Sequence, residues 1–521
     1  MRLFTHQQFR TGARSVGAAA MGIAFIGVPS AAYAAEAGTP VALGTLNTAS
    51  TQAAHTELDF AINNPYAAVD WAKYGQYKAD FHSHSNESDG SPEPKDQIEE
   101  HYKLGFDVMA LTDHNMLSST MDRTDDSNPN NAVDSQYLTP ERALQIKNGV
   151  GRNGRGMTYI PYATEQSRAD HLNTFWVDYQ NQPGATLEEN VAMAERLGGI
   201  SHINHPGRYT GADTMANGGA DGAAIARDPA VVKKYTDLFD RYNSLVGMEI
   251  INKKDGDSYS DRIMWDEILK KEMPKRPVWG FSNDDTHSIA DTGYSYNMML
   301  MPTNNEQEVR KAMVSGSFYA VALVAKRELG NAFQGNRLIP APSITAVVVK
   351  DGSDDSITVE GKNYSKIQWI IDGKVVAEGN TLDLNNYESV VHNYVRVQLI
   401  GENGIAFSQP FGISVLGKRS VAPAVDGSSL PNGGAAVPGT TTKGAGTGAQ
   451  AQPTNNVKVA PVAQKKPGKL AQPRVGTDND TLPQTGISGA PLAELGWGML
   501  SLITGAVLVY RVRSRAAARD V

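Results

Sequence analysis

Between residues 77 and 323 the chain alternates short apolar runs with amphipathic stretches of helical period, which predicts repeated strand-helix units. A helix through Ile98, Tyr102 and Leu104 stops at Gly105, and a strand over 106–111 ends in Thr112-Asp113-His114. Thr186 and Glu189 form a capping box before a helix through Leu187, Val191, Ala194 and Leu197, and a strand over 200–203 follows. The pattern continues with strands over 247–251, 278–281 and 297–301 and with helices over 260–271 and 304–313. Such alternation implies a parallel sheet, open or closed into a barrel, whose site lies at the C-terminal strand ends. From 343 to 415 the period changes to two: Val395, Val397 and Leu399 alternate with Arg396 and Gln398, and Asp372-Gly373 makes a hairpin turn. This part reads as a small antiparallel β-sandwich over 342–416 that packs on or spaces the larger domain.

The two ends break these patterns. Arg2, Arg10 and Arg14 precede an uncharged apolar run over 16–28, then Ala32-Tyr33-Ala34, as in a secretory signal over 1–34 cleaved after Ala34 or nearby. An extension over 35–76 follows it. At the other end Leu482-Pro483-Gln484-Thr485-Gly486 precedes an uncharged run over 495–510 and Arg511, Arg513, Arg515 and Arg519. That order resembles the LPxTG sorting signal read by sortases of Gram-positive bacteria. It implies cleavage between Thr485 and Gly486, covalent attachment to peptidoglycan, and a transient transmembrane segment within 482–521. Residues 418–480 are rich in Gly, Ala, Pro, Thr, Gln and Lys and hold no aromatic side chain, so a disordered wall-spanning spacer is expected there.

Composition narrows the chemistry. The 521 residues leave room for one catalytic-size domain and smaller modules. A formal charge of −8 argues against a stable nucleic-acid complex, and an acidic chain does not concentrate polyanions, which favours a small substrate. With no cysteine, any metal must be held by nitrogen and oxygen.

Eight of the eleven histidines fall between His82 and His287. His82 and His84 flank Ser83, a spacing that puts both rings on one face of a strand, and Asp285 and His287 repeat it around Thr286. Asp89, Asp113, His114, Glu165, His171 and His205 sit at or just past other predicted strand ends. Gathering so many imidazoles and carboxylates is costly unless a cation neutralises them. Arg208, on the loop of His205, is a candidate phosphate clamp because its guanidinium fork matches phosphate oxygens in pairs. Asp113 and Glu249 are candidates for orienting a ligand histidine. His202 reads as structural, and His101 as structural on a solvated helix face.

The blocks Phe81-His82-Ser83-His84-Ser85, Ser88-Asp89-Gly90, Leu111-Thr112-Asp113-His114-Asn115, Glu165 with His171, Asn204-His205-Pro206 and Asp285-Thr286-His287 occur in the order of the motifs of the polymerase and histidinol phosphatase (PHP) metal-dependent phosphoesterases. The sequence resembles that family over residues 77–325. The resemblance implies a distorted (β/α)7 barrel and two or three divalent ions, zinc, manganese or iron. It places one ion on His82, His84, Glu165 and Asp285, a second on Glu165, His171 and His205 with Glu165 shared, and a third on Asp89, His114 and His287. Among the residues doing the chemistry would be Glu165, Asp285 and Arg208, with metal-activated water attacking a phosphomonoester or phosphodiester of nucleotide-like or sugar-phosphate type. Two other readings remain open: an amidohydrolase-type metal hydrolase, and a non-catalytic metal-binding surface or adhesion protein.

Overall fold

A computed structural model describes residues 58–123, 135–212, 222–352 and 354–419. The expected signal sequence, the sorting signal and all of the expected spacer but 418 and 419 lie outside the described residues. So does the apolar run over 495–510; among the described residues no helix is long and apolar enough to cross a membrane.

The first part contains strands β1 (Leu58–Asn63), β2 (Gly75–Asp80), β3 (Val108–Met109), β4 (Thr158–Tyr159), β5 (Thr164–Gln166), β6 (Leu172–Phe175), β7 (Ile200–Ile203), β8 (Leu245–Asn252), β9 (Trp279–Asn283), β10 (Ser295–Met301) and β11 (Phe318–Ala322). Helices over Pro94–Lys103, Leu187–Arg196, Pro229–Arg241, Asp261–Glu272 and Glu306–Ser315 separate many of them. Their ends follow local chemistry: the Thr186–Glu189 capping box forms as expected, and Gly316 closes the last helix in the left-handed conformation. Residues 343–418 add β12 (Ser343–Lys350), β13 (Ser356–Lys362), β14 (Lys366–Ile371), β15 (Lys374–Glu378), β16 (Thr381–Asp383), β17 (Tyr394–Gly401), β18 (Gly404–Phe407) and β19 (Phe411–Lys418).

A closed barrel does not form. The strands make a mixed α/β arrangement of an 11-stranded sheet, a 5-stranded sheet ordered β5-β6-β7-β8-β9, and a 3-stranded sheet ordered β12-β13-β16. Closure fails for identifiable reasons. β6 runs antiparallel to both β5 and β7, so the parallel series is interrupted. β9 faces the other sheet through side-chain amides in place of a backbone ladder. Gln409 bonds both the N–H of Gly280 (2.8 Å) and its carbonyl (2.9 Å), and Asn297 does the same for Ser282 at 3.0 and 2.8 Å. These buried amides satisfy peptide groups that would otherwise be stranded at a sheet edge. Near the site the two sheets touch by backbone through isolated parallel bridges between Ser83 and Thr286 and between His114 and Glu165, and an antiparallel bridge joins Ser118 to Ala163.

The antiparallel strands of the C-terminal part are continuous with this framework, since β18 pairs with β11 and β19 pairs with β1. One apolar core contains Met109 and Leu111 beside β3 together with Val347, Trp369, Val397 and Leu399. The Asp372-Gly373 hairpin forms as the sequence predicts, with φ of 52° and 74°, the positive pair that a tight two-residue turn requires.

Candidate metal centre

The expected site residues arrive from six different strands. His82 and His84 follow β2, His114 follows β3, Glu165 lies on β5, His171 directly precedes β6, His205 follows β7, and Asp285 and His287 follow β9. All nine expected ligands are brought into one cluster, as four overlapping sets: His84, Asp89, His114 and His287; His82, Glu165 and His205; His82, His84 and Asp285; and His114, Glu165 and His171. The grouping differs in detail from the one the resemblance implies. His84 joins both the Asp285 set and the Asp89 set, and Glu165 faces His82, His171 and His205 with Oε1 and His84 and His114 with Oε2.

Distances show how tightly the groups converge. The Nε2 atoms of His82 and His84 lie 3.1 Å apart. Asp285 Oδ1 lies 3.4 Å from the first and 3.1 Å from the second, and Glu165 Oε1 lies 3.2 Å from His82 Nε2. His171 Nδ1 stands 2.8 Å and His205 Nε2 3.4 Å from Glu165 Oε1, while His114 Nδ1 lies 2.6 Å from Glu165 Oε2. Asp89 is the outermost member, 56% exposed at its side chain, with Oδ1 3.2 Å from His287 Nε2 and 3.5 Å from His114 Nε2.

These residues fit divalent cations. Two acceptor oxygens, Glu165 Oε2 and Asp285 Oδ1, are buried in no hydrogen-bond geometry although imidazole nitrogens crowd them. Leaving buried carboxylate oxygens unpaired is costly, and a cation among these nitrogens and oxygens would satisfy them. Proton affinities say the same. Burial works to raise the Glu165 pKa, but His171, His82 and His114 overcome it and hold the carboxyl well below its ordinary range. Asp285 is likewise held down against burial by His82, His84 and Lys253. Burial disfavours charge on His114 too, yet Asp89 and Glu165 push its pKa up to about 10. His84, by contrast, is depressed to about 3 by burial and is a neutral donor. The carboxylates thus demand positive charge in the cluster, which protons on imidazole supply when no cation does.

Neighbouring side chains orient the cluster. Glu249 lies on β8, buried, and its Oε1 is 2.8 Å from His82 Nδ1. The same carboxylate accepts from the backbone N–H of His205 (3.0 Å) and from the amides of Asn252 and Asn283 (each 2.8 Å), so it fixes two expected ligands at once. Asp113 does not touch a histidine. It accepts from the N–H and hydroxyl of Ser85 and from the Ser88 hydroxyl, each at 2.7 Å, and Ser88 Oγ sits 3.3 Å from His84 Nδ1. It therefore holds the 85–90 loop, whose tight return leaves no room for a side chain at Gly90: a Cβ there would lie 2.8 Å from the His84 backbone. His101 is fully buried, not on a solvated face, because its Nε2 pairs with Asp80 Oδ2 at 3.0 Å. His202 stacks on Phe281 at 4.6 Å between ring centroids, in a structural place.

Arg208 sits on the short helix Pro206–Thr210 with its side chain 46% exposed and Nη1 3.2 Å from Asp257 Oδ2. Sequence reasoning missed three neighbours. Asn204 donates to Glu165 Oε1 at 2.8 Å, Tyr209 packs on the His171 ring at 4.8 Å, and Lys253 Nζ reaches Asp285 Oδ2 at 3.3 Å. Asn204 lies inside the Asn204-His205-Pro206 block and shared its signal, and Tyr209 lies three residues beyond it. Lys253 carried none, because only an unusual turn aims it inward. Backbone strain gathers at the same end of the sheets: His205, Asp285 and Lys253 have φ of 27°, 45° and 46°. Each costs about 1–2 kcal/mol, an expense that persists mainly where a site requires it.

No family model matches the chain, and no curated protein does. Solved structures that resemble it include a two-domain protein from Bacteroides vulgatus containing a predicted PHP-like metal-dependent phosphoesterase, 15% identical, covering 70% of this chain and 95% of its own, with a TM-score of 0.33. A protein from Bifidobacterium adolescentis named as a metal-dependent phosphoesterase is 14% identical over 46% of this chain and 96% of its own, at a TM-score of 0.28. An amidohydrolase from Chromobacterium violaceum is 14% identical over 40% of this chain and 87% of its own, at 0.24. The functional reading rests on the side chains themselves.

Proposed function

We propose that the chain is a metal-dependent phosphoesterase that hydrolyses small phosphomonoesters or phosphodiesters, nucleotide-like or sugar-phosphate in type. The observation that carries the reading is the convergence of six histidines and three carboxylates in overlapping ligand sets with Glu165 and His84 shared between them. Sharing of ligands is expected of a multinuclear centre, whereas a structural ion takes a closed set of four.

His82, His84 and Asp285 would hold one ion, His114, His171, His205 and Glu165 would serve a second with Glu165 common to both, and Asp89 with His287 would complete a more exposed third position. Divalent ions there supply Lewis-acid polarisation of a phosphoryl oxygen and lower the pKa of water towards neutrality. The protein's own groups do the rest. Glu249 and Asn204 keep His82 and Glu165 in fixed orientation, Tyr209 packs against the His171 and His205 rings and shields that side from water, and Arg208 offers a guanidinium at the rim for phosphate oxygens. The amidohydrolase alternative calls for a modified lysine in the shared central position, which here is held by Glu165. We also propose export and attachment to peptidoglycan by a sortase acting at Thr485 and Gly486.

The test is turnover of p-nitrophenyl phosphate and bis-p-nitrophenyl phosphate by the purified chain, with and without chelator. The expected result is activity that chelation removes and manganese, zinc or iron restores, and that His84→Ala or Glu165→Ala abolishes while the chain stays folded. Inertness towards a broad phosphoester panel with metal bound would transfer the assignment to metal capture or adhesion.

A further inference from the structure

The turn after β8 contains a device that the metal ligands do not need. Lys253, Lys254 and Asp255 have φ of 46°, 53° and 54° in succession, three non-glycine residues in the left-handed region. Such a run persists only where its surroundings over-determine it. Asp255 supplies the anchor: its buried carboxylate accepts Arg262 Nη1 at 2.9 Å and Nη2 at 2.8 Å, the Ser258 hydroxyl at 2.9 Å and the Lys326 N–H at 2.6 Å. Arg262, also buried, is fixed in turn by the Ile250 carbonyl at 2.8 Å and by Glu328 at 2.6 Å.

The consequence is that two adjacent lysines take different partners. Lys254 lies over the Tyr294 ring at 4.4 Å and pairs with Asp291 at 2.6 Å, with no ion pair to a carboxylate of the cluster among the described residues. Lys253 is turned towards the cluster, with Nζ 3.3 Å from Asp285 Oδ2 and 3.8 Å from Asp257 Oδ2. Arg208 Nη1 approaches the same Asp257 oxygen at 3.2 Å, so this buried carboxylate spaces two cations side by side. Both cations remain open to solvent, with side chains 29% and 46% exposed. Asp285 also faces His82, His84 and His205 within 3.6 Å, so Lys253 is one of four neighbours of this carboxylate and the one whose end stays open to solvent.

We propose that Lys253 is the anion-binding residue of this site, its ammonium receiving a non-bridging phosphoryl oxygen of the substrate, with Arg208 taking a second oxygen from the far side of Asp257. The assignment rests on the phosphoesterase reading above and adds to it the group that orients the phosphate. A compact ammonium suits one oxygen and the guanidinium fork suits a pair, so the row grips the phosphoryl end and leaves the rest of the substrate free. Mono- and diesters share that chemistry.

The experiment is calorimetric titration of the metal-loaded full chain with inorganic phosphate, beside its metal content and its KM and kcat on p-nitrophenyl phosphate. Lys253→Met should weaken phosphate binding tenfold or more and raise KM by a similar factor, with metal content unchanged. Lys253→Arg should recover most of the affinity, and Lys254→Met, in the same turn, should match wild type. Wild-type-like phosphate affinity in Lys253→Met would overturn the proposal, as would a loss that merely tracks lost metal, or a wild-type chain that binds no phosphate. Phosphate binding that depends on Lys253 in a chain inert towards every phosphoester would uphold the anion site and overturn the hydrolytic reading instead.

Discussion

At the scale of single residues, Glu249 shows how much of a site lies outside its ligands. One buried carboxylate orients the His82 ring, the His205 backbone and two amides. Partners of this kind change metal affinity or activity by about 10–100-fold when removed. Glu249→Ala is therefore expected to lower metal affinity, read by competitive titration, by about that factor while the ligands stay intact; unchanged affinity would reduce Glu249 to a core hydrogen bond. The clustered side chains themselves were legible in the sequence, since the HxH and Asp-x-His spacings and the histidines and carboxylates at predicted strand ends are the ones the fold brings together. Lys253 was not legible, because its direction depends on Asp255 and Arg262 holding three left-handed residues, and nothing in Asn252-Lys253-Lys254-Asp255 signals that strain. His101 misled for a related reason: the helical pattern placed it towards water, and the partner that buries it, Asp80, comes from β2.

At the scale of elements, strands and helices followed the hydrophobic period, and the seams between them did not. The period-two run at Val395, Val397 and Leu399 was recognisable, but β17 is buried on nearly its whole length because Arg396 pairs inside the protein with Asp266 at 2.7 Å. Likewise the seam beside β9 is made by Gln409, a residue some 130 positions away in sequence whose amide no local pattern announces. Gln409→Ala leaves a buried N–H and carbonyl of Gly280 unpaired, each costing about 1–3 kcal/mol, and this loss should appear as a lower denaturant midpoint. A midpoint within error of wild type would show that the strand edge finds water or another partner. Helix packing gives a pH dependence. Glu272, at the end of Asp261–Glu272, is pushed from the usual 4.5 to about 7 by burial and by Asp240 on the facing helix. An acid that keeps its proton more tightly when folded favours the native state below pH 4.5 and loses that advantage as pH rises through 7. The melting temperature should thus fall over that interval, and Glu272→Gln should flatten this part of the profile; an identical slope in the variant would contradict the assignment.

At the scale of the whole molecule, the alternating pattern announced an α/β architecture with its site at strand C-terminal ends and left closure open, while the barrel that the family resemblance implied does not close. Closure depends on which strand edges meet, and β6 running antiparallel together with amide seams at β9 decides that question beyond the reach of local periodicity. The C-terminal strands also contribute more than spacing. Through β18 on β11, β19 on β1 and the Asp266 pair with Arg396 and Tyr394, they brace the sheets from which the ligands project. A rigid frame of that kind is what lets nine side chains from distant segments meet within coordination reach. The most direct check of the account is elemental analysis of the full chain after reconstitution with manganese, zinc or iron and removal of loose ions. Two or three divalent ions per chain are expected, falling by at least one in Glu165→Ala; a chain that retains none, or whose content Glu165→Ala leaves untouched, would contradict a shared metal centre.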